Sequence, residues 1–121
     1  MPRTHEYEDP NRLSLVRELK KLGKERGSRI WIRISYELSK SRRNRRSVNL
    51  WKLNKYTKRG ETVIIPGKLL GNGKLEHKLN IAAFKFSKSA MKKIKEAGGK
   101  IMTIKELMKK NPRGSDIRII G

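Results

Sequence analysis

The sequence contains no cysteine, which excludes disulfides, thiolate chemistry and every cysteine-ligated zinc module. Carboxylates are scarce: 11 Asp and Glu stand against 32 Lys and Arg, for a formal net charge of +21. The two histidines, His5 and His77, lie far apart in the chain, and only Glu76 stands beside His77. Metal binding and general-base catalysis need convergent His or carboxylate side chains, and no spacing here supplies them. Ser87 and Ser89 have no visible partner base and read as a helix cap and a helix residue. No apolar run approaches the roughly 18 residues of a membrane span. The N-terminal residues lack the apolar core of a secretory signal. The expectation is a cytoplasmic, non-enzymatic protein with no metal, no cofactor, no membrane association and no small-molecule substrate.

Positive charge dominates what remains. Apolar residues are 35% of the chain, below the usual share of roughly 45–50%. With 121 residues, one domain with one modest core is expected over residues 1–121. Residues 17–59 carry sixteen basic and three acidic side chains, and residues 60–121 carry fourteen and five. A steering patch on an enzyme would be more local than this. The excess opposes compaction unless counterions or a polyanionic partner offset it.

The densest segment is 40–59, KSRRNRRSVNLWKLNKYTKR, which holds no acid. Arg42, Arg43, Arg45 and Arg46 fall within five positions. A guanidinium group grips a phosphate in bidentate fashion and stacks on bases, so these four are the leading candidates for nucleic-acid contact. Asn44 and Asn49 can read or bridge polar edges, and Lys52, Lys55, Lys58 and Arg59 extend the patch. A solvated charged loop is the bland alternative. Tyr56 is a candidate stacking platform, and Trp51 is either that or a core residue beside Leu50 or Leu53. Trp31 shares a helical stripe with Ile34 and Leu38 and belongs to the core. In PGKLLGNGKL, Pro66–Leu75, three glycines and two lysines form a segment whose backbone N–H groups can cradle phosphate. It is not a nucleotide-binding P-loop, for it lacks GxxxxGK[ST] and no adequate helix follows. Phosphate contacts at Lys68 and Lys74 are expected; the alternative is a hairpin-type loop that merely needs glycine.

Residues 1–10 read as an extended arm. Asn11 caps a helix to about Arg26, with Leu15, Val16, Leu19 and Leu22 on its stripe, Gly23 weakening its last turn and Gly27 ending it. Ser28 caps a second helix through about Leu38. Val48 starts a short strand and Leu50–Thr57 a short helix. Thr62–Ile65 is a strand that Pro66–Gly67 breaks with a turn. Leu79–Phe84 is a second strand, and Ser87 caps a helix from Lys88 to about Ala97, with Lys88, Lys92, Lys93 and Lys95 outside its stripe. Lys100–Met102 is a strand. Thr103 and Glu106 have capping-box spacing at the head of a helix to about Lys109, and Ile117–Ile120 is a final strand. The fold class is α/β, with helical N-terminal elements ahead of short alternating strands and helices.

Four stretches carry a resemblance: VNLWKLNKYTK (Val48–Lys58), ETVIIPGKLLGNG (Glu61–Gly73), AAFKFS (Ala82–Ser87), and Ala97–Gly99 with Thr103–Leu107. Together they resemble the archaeal and eukaryotic eighteen-e family of large-subunit ribosomal proteins, whose superfamily also holds bacterial large-subunit protein fifteen. The likeness runs from about Asn11 to Gly121. It implies a structural protein that binds and stabilises folded large-subunit ribosomal RNA beside neighbouring ribosomal proteins, located in the cytoplasmic large subunit. It implies a compact, irregular β-β-α superhelical domain and neither catalysis nor a cofactor. It sets Arg42–Lys58 against RNA, Asn54 and Lys55 within the motif included, with Lys68 and Lys74 in the glycine turn. Trp51 departs from the small or polar residue usual at its position, which favours an exposed or RNA-facing ring. A chromatin-like DNA coat and an RNA-modifying enzyme are the competing readings. The second needs a cofactor pocket or an acid–base pair, and the sequence offers neither.

Overall fold

The computed structural model describes residues 10–40 and 47–121. Among them the order is α1 (Pro10–Arg26), α2 (Arg29–Ser39), β1 (Ser47–Asn49), α3 (Leu50–Tyr56), β2 (Thr62–Leu70), β3 (Asn80–Phe86), α4 (Lys88–Glu96), β4 (Lys100–Thr103), α5 (Ile104–Lys110) and β5 (Ile117–Ile119). The expected arm, up to residue 9, and Arg42, Arg43, Asn44, Arg45 and Arg46 lie outside the described residues. Two compact units are present: residues 10–40 with Pro112–Gly114, and residues 47–111 with Ser115–Gly121.

The first unit is an antiparallel pair of helices. α1 opens at Pro10, one residue before the expected cap, because proline's fixed φ suits a first helical turn. The Ser28 N–H donates to the Gly23 carbonyl (2.9 Å), closing the end of α1. Gly23 proves to be a packing requirement: a Cβ there would come 2.7 Å from Ile32 Cγ1 of α2. Ser28 stands at the expected N-cap, but its hydroxyl donates to the Arg113 carbonyl (2.8 Å) instead of accepting from the helix. Val16, Leu19, Ile34, Leu38 and a fully buried Trp31 fill the interior. The Trp31 indole N–H donates to the Pro112 carbonyl (2.7 Å), so its one polar atom is satisfied. Arg12 is buried as well, and its Nη1 donates to the Leu38 carbonyl (2.9 Å), covering an orphan acceptor at the end of α2.

The second unit is built on a sheet in which every pairing is parallel. Its order is β1-β2-β3-β4, with β5 also pairing with β2. β1 and β5 share one flank of β2: β5 pairs with Thr62–Ile64, and β1 with Lys68–Leu70. The expected turn at Pro66–Gly67 does not occur, and β2 runs through it. Proline has no N–H for a ladder. Here it falls in the gap between the β5 and β1 pairings, and the register against β3 also shifts between Ile65 and Lys68. The dipeptide interrupts pairing without turning the chain. Because β2, β3 and β4 run the same way, the chain must return after each strand and so winds as a coil.

Alternation along the strands divides the apolar residues between two faces. Val63, Ile65, Leu69, Ile81 and Ala83 form one cluster with Val48, Leu50 and Leu53 around α3 and with Ala90 and Ile94 of α4. Ile64 and Ala82 alternate to the opposite face. α5 contacts β3 and β4 and brings the buried Ile104, Leu107 and Met108. Local signals set both helix starts. Ser87 Oγ accepts from the Ala90 N–H (3.1 Å). Thr103 and Glu106 complete a reciprocal capping box: the Glu106 N–H donates to Thr103 Oγ1 (3.0 Å) and the Thr103 N–H to Glu106 Oε1 (2.8 Å).

Candidate nucleic-acid interface

β1 and α3 carry the described part of the basic run alongside the glycine segment. Ser47, Val48 and Asn49 pair with Lys68, Leu69 and Leu70, so residues that look remote in sequence share a sheet edge. At the head of α3 the Trp51 N–H donates to the Asn72 carbonyl (3.0 Å), which docks the Gly71–Gly73 turn on the helix. Gly73 has φ +96°, and a Cβ there would lie 2.6 Å from Trp51 Cβ and 2.9 Å from Trp51 N. No side chain fits that approach. On its other side the turn meets α4: a Cβ on Gly71 would collide with the Ser89 hydroxyl and lie 2.8 Å from the Ala90 nitrogen. Because β2 and β3 are parallel neighbours, this segment is a crossover and not a hairpin loop.

Lys93 holds the turn from below. Its ammonium donates to the Gly71 carbonyl (2.6 Å) and the Gly73 carbonyl (2.9 Å). Sequence pattern alone sets Lys93 outside the buried stripe with Lys88, Lys92 and Lys95, whereas in the structure its ammonium is bound to the turn. The available signal was its spacing of three from the buried Ala90, which puts it at the margin of the apolar stripe.

The cations of the edge are mostly exposed and are not ion-paired among the described residues. Lys55, Lys58, Arg59, Lys68 and Lys74 are exposed and Lys52 is half-buried. None of the six is within ion-pair distance of a carboxylate among the described residues. Two carboxylates border this patch and both are committed, Glu76 to the Asn54 amide and Glu61 to two donors. Glu61 accepts from the Lys58 backbone N–H (2.5 Å) and from Arg118 Nε (3.0 Å). The Lys58 N–H, above all, holds its carboxyl below the usual glutamate value; burial opposes it, and the Arg118 hydrogen bond and the charges of Arg118 and Lys58 add to the lowering.

Two aromatic rings stand among these cations. Trp51 is 53% exposed and Tyr56 52%, with Lys55 Nζ 5.4 Å from the Tyr56 centroid. Of the two places open to Trp51, the structure selects the surface; Leu50 and Leu53 fill the core without it. Asn49 occupies the N-cap of α3, yet its side chain makes no capping bond, and its Oδ1 is buried without a hydrogen-bond partner among the described residues. An unmet acceptor of this kind costs about 1–3 kcal/mol. Asn54 is differently placed. Its Nδ2 donates to Glu76 Oε1 and its Oδ1 accepts from the Glu76 N–H (both 2.8 Å), so its amide ties α3 to the 74–77 segment. His77 is tied to the same helix: its Nε2 lies 2.8 Å from Thr57 Oγ1, whose hydroxyl donates to the Leu53 carbonyl. Among the described residues no three His, Asp or Glu side chains converge as metal ligands would, and no helix is long and apolar enough to cross a membrane.

The family model described as ribosomal protein 60S L18 and 50S L18e matches residues 3–121. The chain is 45% identical over 120 residues to large ribosomal subunit protein eL18 of Methanoregula boonei, covering 99% of both chains. It is 38% identical over 112 residues to the eL18 of Methanothermobacter thermautotrophicus, covering 93% of each. Against the eL18 of Methanopyrus kandleri it is 45% identical over 111 residues, covering 88% of this chain and 87% of that one.

Proposed function

The chain belongs to the ribosomal protein 60S L18 and 50S L18e family, and from that premise we propose that it is a structural constituent of the large ribosomal subunit that binds and stabilises folded large-subunit ribosomal RNA. Family membership makes it a ribosomal structural protein and not an enzyme. Its place is the cytoplasmic large subunit, among neighbouring ribosomal proteins, with residues 1–121 acting as one RNA-binding domain.

The observation that carries the RNA reading is the cationic edge at β1, α3 and the glycine turn, where none of six basic side chains is ion-paired to a carboxylate among the described residues. Lys52, Lys55, Lys58, Arg59, Lys68 and Lys74 meet phosphates there. Arg42, Arg43, Arg45 and Arg46, with Asn44 among them, continue the contact along the chain. Tyr56 and Trp51 offer π-faces to unstacked bases. Asn49, half-buried at the head of α3, turns the accessible part of its side chain to a polar RNA edge. Asn54 acts at one remove, by holding the 74–77 segment against α3.

The test pairs sedimentation with binding. The chain should migrate with large subunits in cell extract. The purified protein should bind a folded large-subunit RNA transcript with an affinity that falls about 10³-fold or more between 50 and 200 mM salt, as about six or more phosphate contacts require. Replacing Arg42, Arg43, Arg45 and Arg46 with Ala should remove most of that affinity and leave the urea midpoint of the free protein in place. Unchanged RNA binding with a collapsed midpoint refutes the assignment of those arginines. Affinity for RNA that is indifferent to salt, or equal affinity for generic duplex DNA, refutes the function.

A further inference from the structure

One row of the sheet sets like charges against each other. Lys68 of β2 is in direct register with Lys85 of β3 on one side and with Ser47 of β1 on the other. In-register residues of neighbouring strands project from the same face, with the strands about 4.8 Å apart. Leu69 and Phe86, one position further on, pair with each other and pack into the core cluster. Lys68, Lys85 and Ser47 therefore project from the opposite face, and all three are exposed. Neither lysine has a carboxylate within ion-pair distance among the described residues. The contact that Lys85 does make, 5.7 Å from the Phe84 ring centroid, is weak at an exposed site.

Two ammonium groups held abreast in this way repel each other in the free protein. An oxyanion between them reverses the sign of the interaction, and strand spacing suits it: each ammonium reaches a phosphate oxygen at about 2.8 Å from its own side. The Ser47 hydroxyl, at the end of the row, adds a neutral donor. We infer that Ser47, Lys68 and Lys85 form a seat for a single RNA phosphodiester, shared between the two ammonium groups. The inference rests on the RNA-binding reading above and deepens it. It adds Lys85 and Ser47 to the interface and gives Lys68 a specific partner, on a sheet face distinct from the exposed rings of α3.

The experiment measures binding of Lys68→Met, Lys85→Met and the double variant to a folded large-subunit ribosomal RNA transcript over a series of KCl concentrations, with thermal unfolding of each free protein in parallel. A shared phosphate is still neutralised after one lysine is lost. Each single variant should then lose only about threefold in affinity and keep the slope of log K against log salt, whereas the double variant should lose more than the product of the two and lower the slope by about one. The free single variants should melt no lower than the parent, because a repulsion has gone. The seat is overturned if all variants bind like the parent, or if each single variant lowers the slope by about one and the double by about two, which means separate phosphates. Variants that melt well below the parent also overturn it. If the parent itself binds the RNA without salt dependence, the RNA-binding reading falls and the seat with it; normal parent binding with unaffected variants removes the seat alone.

Discussion

Replacing Gly73 with alanine puts the docking of the glycine turn on α3 under direct strain. Two costs add at this position. A Cβ at φ +96° is in a region that L-residues avoid, at roughly 1–2 kcal/mol. The new methyl also meets Trp51 at 2.6 Å from Cβ and 2.9 Å from the backbone nitrogen. Backbone of a helix cannot swing aside as a side-chain tip can, so relief requires the turn to move off α3, at a cost comparable to overpacking, about 1–3 kcal/mol. Reduced entropy of the unfolded chain returns about 0.4–1 kcal/mol. The expected net loss is about 1–5 kcal/mol, centred near 3, a large share of a typical stability of about 5–15 kcal/mol. Gly60 supplies the control. It has a similar φ of +85°, but a Cβ there has nothing within 4 Å. Gly60→Ala should therefore cost only the backbone part, about 1 kcal/mol. Urea unfolding of the two variants, free of RNA, isolates the contact as the difference between them. If Gly73→Ala is no less stable than Gly60→Ala, the turn is not seated on Trp51 as described.

The other expectations concern the tryptophans and the carboxylates. Trp31→Ala should destabilise by about 3–5 kcal/mol, while Trp51→Ala should leave the unfolding midpoint almost unchanged and weaken RNA binding by about 1–3 kcal/mol; the reverse pattern would exchange their roles. Glu61 and Glu106 are both held below the ordinary glutamate value of 4.5, Glu61 chiefly by the Lys58 N–H and Glu106 by the Thr103 N–H and side chain. A depressed carboxyl contributes stability above its unfolded value and loses it as pH falls through the folded one. Stability should therefore decline on acidification below about pH 4.5, and the double variant Glu61→Gln, Glu106→Gln should show a shallower decline. An equally steep decline in the double variant would show that neither carboxyl couples to folding.

What could be read in advance was local. The Thr103 and Glu106 capping box, the Ser87 cap and the helical stripe of Trp31, Ile34 and Leu38 each depend on residues within a turn or two, and the structure has all three. The neighbours of Trp51 do not decide between core and surface, and only its departure from the family pattern points outward. What could not be read was tertiary. Pro66–Gly67 ends strands in most contexts; here the vacancy between two short pairings tolerates a residue without an N–H. Gly23 reads as a weakness from helix propensity alone, and its reason, Ile32 packing against it from another helix, is tertiary. Asn54 and Glu76 are 22 positions apart, and nothing in either segment announces their reciprocal pair. The described half of the candidate interface was legible as composition, namely cations without acids. Its geometry required the parallel register of β1 on β2.

That register has a consequence for synthesis. β2 receives its β5 neighbour from Ile117–Ile119, long after Thr62–Ile64 has been made. A nascent chain halted after β4 would carry an open apolar flank on its central strand, with thirty-odd positive charges nearly all present and no hairpin to shield it. Completion of the sheet therefore waits on translation of the distal strand, and an unfinished copy is at once adhesive to polyanions and open to strand exchange. Cells making this protein have reason to deliver it quickly to its site or to keep it escorted until the final pairing closes.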